Sequence, residues 1–355
     1  MTENLVPKGL QGVAVDVTSI ATTDSEGNLL YRGYKTVELA NRKSFEEVAH
    51  LVLNGKLPDG EELSEFKKFL RDSSHIDQDL IGIMKLARET NVMDGLRSGV
   101  SIGKYKNTLP GLLLPEIAAK FPQIVSSTSR INEGKEPLKN IDGSYAENLF
   151  YLLTGKEDRT KARFLEKLLI LYMEHEFNAS TFALRVAAST LADPVSAVVA
   201  ALSTLKGPLH GGANSEVLTY LLNFKSEEEA LKYVDEKLEK KEKIMGFGHR
   251  IYKAKDPRAQ FVKNELNTLM GNKDAFRYAV AIEERVWEEK HLPANLDFYA
   301  ALYLNELGID EKFYLPIFGC ARVFGWGAHY KEQVADNKII RPSSVYVGPK
   351  GLELP

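Results

Sequence analysis

The chain has 355 residues, 44% hydrophobic and 27% charged, an ordinary globular composition that supports two domains or one large one and excludes a disordered or fibrous polymer. A net charge of -3 gives no basic footprint for nucleic acid, so an anionic ligand must rest on a few placed cations. Cys320 is the single cysteine, which excludes an internal disulfide, a CxxC redox pair and a Cys-rich zinc site. The opening MTENLVPKGL has neither a secretory nor an import pattern, and apolar runs such as Val195 to Leu202 fall far short of the roughly 18 residues of a membrane span. The expectation is a cytoplasmic protein.

In chain order, strand-like alternation is confined to the beginning, around Val13 to Val17 and Leu29 to Tyr34, with Glu26-Gly27-Asn28 as a turn. Ser44 with Glu47 then announces a helix whose face carries Phe45, Val48, Ala49 and Val52 and which stops at Gly55. The polar stretch Ser126 to Ser144, with Gly134, Pro137 and Gly143, is expected to contain a connection between helices and is a candidate domain boundary. Ser144 with Glu147 opens the next helix, which ends at Gly155, and Leu165, Leu168, Leu169 and Tyr172 mark another. Asp193-Pro194 and Asp256-Pro257 each set a capping carboxylate before a proline at the first helical position, with Gly207 as a stop after the former. Ser226 with Glu229 repeats the capping form, and the charged stretch Asp235 to Lys243 is the solvated side of a helix whose buried face holds Leu231, Val234 and Leu238. The chain reads as nearly all α.

Three of the seven histidines stand in unusual surroundings. His210, in KGPLHGGAN, follows a helix break, and Gly211-Gly212 permit close approach of a backbone or ligand. A helix start near Asn214 to Glu216 would disfavour imidazolium and leave His210 neutral, able to donate to a carbonyl oxygen; the alternative is a loop histidine at a cap. His249, in MGFGHRIYKAKDPR, is flanked by Gly246 and Gly248 and by Arg250, Lys253, Lys255 and Arg258, a set suited to phosphates and carboxylates. The segment has neither a dinucleotide fingerprint nor a P-loop ending, so an anion-binding loop competes only with a solvated turn. His175, in EHEFNAST, is either a satisfied core histidine or a site residue; adjacent Glu174, His175 and Glu176 lack the HExxH spacing of a zinc hydrolase. Asp297, in NLDFY, is a first-turn aspartate or, desolvated by Leu296, Phe298 and Tyr299, a general base. Arg322 lies in the apolar IFGCARVFGWGAH, whose Gly319, Gly325 and Gly327 suit close helix packing, and a cation there needs an anionic partner. Arg341, in IIRPS, is a further candidate.

Taken together these motifs resemble the citrate synthase family. GPLHGGAN, MGFGHRIYKAKDPR, NLDFY and ARVFGWGAHYKEQVADNKIIRPSSVYVGP occur in the family's order and approximate spacing. GLQGVAVDVTSIATTDSEGNLLYRGY, VLNGKLP, MDGLRSGVS, AENLFYLLTG and HEFNASTFALRVAASTLADP extend the resemblance over nearly the whole chain. It implies an all-α, two-domain fold with a short β segment near the N-terminus. Residues 1–209 and 310–355 would form a large domain and 210–309 a small one, with the site in the cleft between them. The resemblance makes Asp297 the base, His210 the donor to the thioester oxygen and His249 the acid toward the new alkoxide. Oxaloacetate would be held by His175, His249, Arg258 and Arg322, with Arg341 arriving from the partner of a homodimer. CoA would be held by Lys243, Ile244, Met245, Gly246, Phe247 and Gly248, aided by Lys253 and Lys255. No metal or redox cofactor is implied.

Acetyl-CoA giving citrate competes with propionyl-CoA giving 2-methylcitrate, because HEFNASTF and DNKIIRP resemble both kinds of synthase and one methylene is worth only about 1–3 kcal/mol in a pocket. A silent paralogue that binds CoA or oxaloacetate would be favoured by loss of His210, His249 or Asp297, and all three are present. A helical scaffold protein would leave the glycine-flanked histidines unexplained. The chain departs from the family in a shorter Ser101 to Ser129 region and in Ser126-Ser-Thr-Ser-Arg130, outside the chemical motifs.

Overall fold

Capping decides where many of the helices begin. The Ser44 and Ser144 boxes close in both directions, each hydroxyl accepting from the amide three residues on and each glutamate accepting the cap amide in return, at 2.8 and 2.7 Å. Ser226 closes only half a box: its hydroxyl caps Glu229, but the Glu229 carboxylate accepts from the Lys225 amide at 2.9 Å instead. The structure is a computed structural model that describes residues 7–10, 12–210, 213–249, 251–270 and 273–354, the side chains of residues 213–215 excepted.

Its helices are α1 (Thr36–Arg42), α2 (Phe45–Asn54), α3 (Gly60–Ser73), α4 (Gln78–Leu86), α5 (Val92–Ile102), α6 (Pro110–Asn132), α7 (Tyr145–Thr154) and α8 (Arg159–Tyr172). They continue as α9 (Ala179–Ser189), α10 (Pro194–Leu205), α11 (Ala213–Asn223), α12 (Glu227–Glu239), α13 (Pro257–Met270), α14 (Asp274–Lys290), α15 (Leu296–Leu307) and α16 (Tyr314–Ala335). A small antiparallel sheet precedes them, β1 (Ala21–Thr23), β2 (Leu29–Tyr31) and β3 (Tyr34–Lys35), with Ala21 opposite Tyr31 and the expected turn closed by Gly27 N–H donating to Asp24 O at 3.0 Å. The chain is thus all-α apart from this hairpin.

One expectation fails. Residues 13–17 join no strand; their alternation marks an extended segment whose apolar wall is a cavity rather than a neighbouring strand, with Val13 and Val15 lining it. The Ser126 to Ser144 stretch does contain the expected connection, residues 133–144, which follows the last part of α6, running on to Asn132. Its hydroxyls are satisfied inside the core, Ser126 donating to Leu152 O at 2.6 Å and Thr128 to Ile124 O at 2.8 Å. Their small size also lets α5 approach at Gly95, where a Cβ would collide with the Thr128 side chain.

Helix α16 runs through the core against α2, α6, α8, α9 and α10, with Trp326 buried. Gly325 and Gly327 allow the close packing expected of them: a Cβ on Gly327 would stand 2.9 Å from Leu53 Cδ2. Helices α11 to α15 pack largely on one another, touching the rest through α1, α8 and α16. Buried Tyr31 ties the hairpin to the end of α8: its hydroxyl lies 3.1 Å from Ile170 O and accepts the Glu174 amide at 3.0 Å. That anchor fixes the loop that carries His175.

Candidate active site

A cavity of about 710 Å³ opens where α8, α9 and α16 face the loop before α13 and the start of α15. Its lining includes His175, His210, His249, Arg258, Asp297 and Arg322. Residues more than a hundred positions apart therefore share one space.

His175 follows α8 in a loop whose next residue, Glu176, takes a left-handed φ of 51° before Asn178 caps α9. Its Nε2 lies 3.1 Å from the Tyr252 hydroxyl, and burial, then the charges of Arg258, His249 and Arg322, push its pKa well below the usual value. His210 ends the turn after α10. Its Nε2 lies 2.9 Å from Ser180 Oγ and accepts the Ser180 amide at 3.3 Å; an amide can only donate, so the neutral ring carries its proton on Nδ1. Burial first, then Arg322, pushes His210 down to about 4. Neutrality was expected from a helix start; the described contact is with the start of α9, while Gly211, Gly212 and the Asn214 side chain lie outside the described residues.

Gly246 and Gly248 take φ of 90° and 82°, conformations that favour glycine, and a Cβ on Gly246 would stand 2.7 Å from the Phe298 ring. Gly248 N–H donates to Pro293 O at 2.8 Å and Asn295 N–H donates to Gly246 O at 2.9 Å, which holds His249 beside the start of α15. His249 Nδ1 accepts the amides of Ile251 and Tyr252 at 3.1 and 3.2 Å, so Nε2 carries the proton. Burial, then Arg258, pushes this ring also down to about 4. Asp297, half-buried in the first turn of α15, lines the cavity together with the buried Leu296, whereas Phe298 and Tyr299 are core residues.

Arg258 is buried with its guanidinium forked onto Asp256, Nε to Oδ1 at 3.0 Å and Nη2 to Oδ2 at 2.8 Å. Asp256 also accepts the Arg258 amide, so the capping residue expected from sequence doubles as the anchor of a cation. Arg322 is 2% exposed, lies over the Phe318 ring at 4.5 Å and donates from Nε to Tyr172 O at 2.7 Å. Among the described residues it forms no ion pair.

The remaining candidates scatter. Arg341 is exposed in the extended chain after α16 and does not line this cavity. Of the proposed CoA loop, Ile244 and Phe247 are buried, Met245 is half-buried with its carbonyl accepting from the Tyr220 hydroxyl, Lys243 is exposed, and Gly248 borders the cavity. Lys253 Nζ donates to His249 O at 3.2 Å, and Lys255 lines a separate depression of about 420 Å³. Arg250 lies outside the described residues. Sequence reasoning missed Ser180, Tyr252 and the second role of Asp256; only Asp256, two positions before an arginine, carried a readable signal. Among the described residues no cluster of three or more His, Cys, Asp or Glu is disposed to hold a metal ion, and no helix is long and apolar enough to cross a membrane.

A family model described as the citrate synthase C-terminal domain matches residues 9–343. The chain is 40% identical to citrate synthase 2 of Bacillus subtilis (strain 168), over 96% of each. It is 38% identical to the 2-methylcitrate synthase of Shewanella oneidensis, over 98% of this chain and 96% of that one. Among solved structures, the ternary complex of carboxymethyl coenzyme A and oxaloacetate with citrate synthase from Thermoplasma acidophilum is similar with a TM-score of 0.89 at 30% identity, covering 98% of both chains.

Proposed function

We infer the reaction from one premise: this chain belongs to the citrate synthase family. It is an acyltransferase that condenses acetyl-CoA with oxaloacetate and water to citrate and CoA. The observation that carries the reading is Arg322, a buried guanidinium in no ion pair among the described residues, facing the same cavity as Arg258. A desolvated guanidinium in no direct ion pair among the described residues leaves donors for an anionic ligand, and with Arg258 on the same cavity the two cations suit a small dicarboxylate.

In this reading oxaloacetate lies against Arg258, Arg322, His175 and His249. Asp297 takes a proton from the acyl α-carbon while the Nδ1–H of His210 donates to the thioester oxygen, where charge develops. A neutral donor suits that step, and the low-lying pKa of His210 keeps the ring neutral with a single N–H to offer. The enolate attacks the ketone carbon, and the Nε2–H of His249 protonates the new alkoxide. Water then cleaves the thioester and CoA leaves.

Residues 1–209 and 310–355 form the large domain of this proposal and 210–309 the small one, so the reactive groups come from both sides of a cleft whose closure excludes water. The mutual packing of α11 to α15 supports the division. The loop 243–248 with Lys253 and Lys255 binds CoA. The protein acts as a homodimer in which exposed Arg341 enters the partner's cavity. The likeness to the Shewanella enzyme favours 2-methylcitrate formation from propionyl-CoA as the second reading.

The test is release of free CoA thiol by the purified protein given oxaloacetate with acetyl-CoA or, in parallel, propionyl-CoA. Faster use of acetyl-CoA supports citrate, and a preference for propionyl-CoA supports 2-methylcitrate. Absence of thiol release from both refutes the proposed catalysis.

A further inference from the structure

Three residues of α16 at spacings i, i+3 and i+7 share one helix face and meet the loop after α8 in register. Arg322 Nε donates to Tyr172 O at 2.7 Å, Gly325 leaves space where a Cβ would stand 2.5 Å from Glu174 Oε2, and His329 Nε2 lies 3.0 Å from Glu174 Oε1. Glu174 and His329 are each 0% exposed, and neither lines the cavity.

The direction of the second bond is set from behind. Arg185 Nη1 lies 3.2 Å from His329 Nδ1, and a guanidinium can only donate. Nδ1 is therefore the acceptor, and the Nε2 proton points at Glu174. Arg185 is itself buried and held by Glu332 at 2.9 Å and Asp16 at 2.8 Å. A buried carboxylate, imidazole and guanidinium thus form a line that ends one residue before His175.

We propose that Glu174 and His329 are positioning residues for oxaloacetate: their buried hydrogen bond locks the Tyr172–His175 loop to α16, so that His175 and the Arg322 guanidinium reach the substrate at a fixed separation. The inference rests on oxaloacetate being the ligand. It goes further in assigning work to two residues that touch no substrate. Loss of the pair misplaces the oxaloacetate clamp and leaves the acyl-CoA side, carried by the 243–248 loop and α15, in place.

The test compares His329→Leu, His329→Asn and His329→Gln for KM toward each substrate and for oxaloacetate affinity by calorimetry, with thermal melts to verify folding. Gln supplies a donor near the Nε2 position, whereas Asn keeps the acceptor toward Arg185 and does not reach Glu174. His329→Leu and His329→Asn are expected to weaken oxaloacetate binding about tenfold or more while KM for acyl-CoA stays within about threefold, and His329→Gln is expected to restore binding to within about threefold. Where the Leu variant does not fold, the Asn variant decides. Unchanged oxaloacetate affinity in a folded Leu or Asn variant, an equal rise in both KM values, or a folded Gln variant as weak as Asn would overturn the assignment. Wild-type protein that binds oxaloacetate without turnover would overturn the reaction and leave the calorimetric comparison standing; wild-type protein that binds none would overturn the substrate reading and this inference with it.

Discussion

The Gly246 carbonyl accepts the Asn295 amide at 2.9 Å, so the loop carrying His249 and the helix start carrying Asp297 are stitched together before any substrate arrives. The bond depends on a left-handed glycine packed against Phe298.

Gly246→Ala tests that dependence. The left-handed conformation costs roughly 1–2 kcal/mol for an alanine, and overpacking against Phe298 adds roughly 1–3 kcal/mol. Denaturant unfolding should show a loss of about 2–5 kcal/mol, with reduced turnover in the fraction that remains folded. Unaltered stability would mean that the loop relaxes freely and does not fix His249.

Asp297→Asn removes the proposed base and keeps the side chain's shape. Turnover is expected to fall about 10²- to 10⁴-fold, with calorimetric binding of oxaloacetate largely retained. Lost oxaloacetate binding with normal turnover of the bound substrate would reassign Asp297 to binding.

Arg322→Met separates affinity from stability. Charge-assisted hydrogen bonds contribute about 1.5–3 kcal/mol, so the KM for oxaloacetate should rise roughly 10- to 150-fold. The melting temperature of the substrate-free protein should change little, because the change removes a desolvated cation while also removing its bond to Tyr172 O. A large drop in melting temperature with unchanged KM would make Arg322 a structural residue.

Acid should act through the histidines. His210 and His249 are pushed down to about 4, against about 6.5 for an unfolded histidine, so the unfolded chain takes up protons first as pH falls. Their preference for the folded state is fully present above pH 6.5, weakens from there toward pH 4 and levels off below, on the order of 3 kcal/mol for each. Unfolding measured from pH 8 to 4 should show this decline, and His210→Asn and His249→Asn should each flatten it. In the same range kcat/KM should show no inflection near 6.5. An inflection there that disappears in either variant would mean that the ring titrates normally.

How much of this was legible depended on whether a signal was local. Ser44, Ser144 and Asp193 announce their helices because a cap is satisfied by amides two or three residues away. His210, His249, Asp297 and Arg322 stood out because glycine or apolar neighbours made them incongruous, and all four line one cavity. Within the Ser126 to Ser144 stretch the connection was legible but the end of α6 was not, because serine is ambiguous alone; Leu152 O, which receives the Ser126 hydroxyl, is 26 residues away. The partnership of Glu174 with His329 spans 155 residues, and nothing at either position announces the other. The standing of Ser180 was hidden likewise, since its amide meets a ring 30 residues downstream.

The placement of Arg322 on α16 also bears on when the protein becomes competent during its own synthesis. The helix that supplies the second guanidinium spans Tyr314–Ala335, and the loop with His175 is fastened to it by two hydrogen bonds, with a close approach at Gly325 between them. A ribosome-bound chain therefore carries most of its reactive groups long before it can grip a dicarboxylate. In the proposed reading a partial chain that stops short of Tyr314–Ala335 cannot hold a dicarboxylate between both guanidiniums, because the grip closes only when that helix docks into the core.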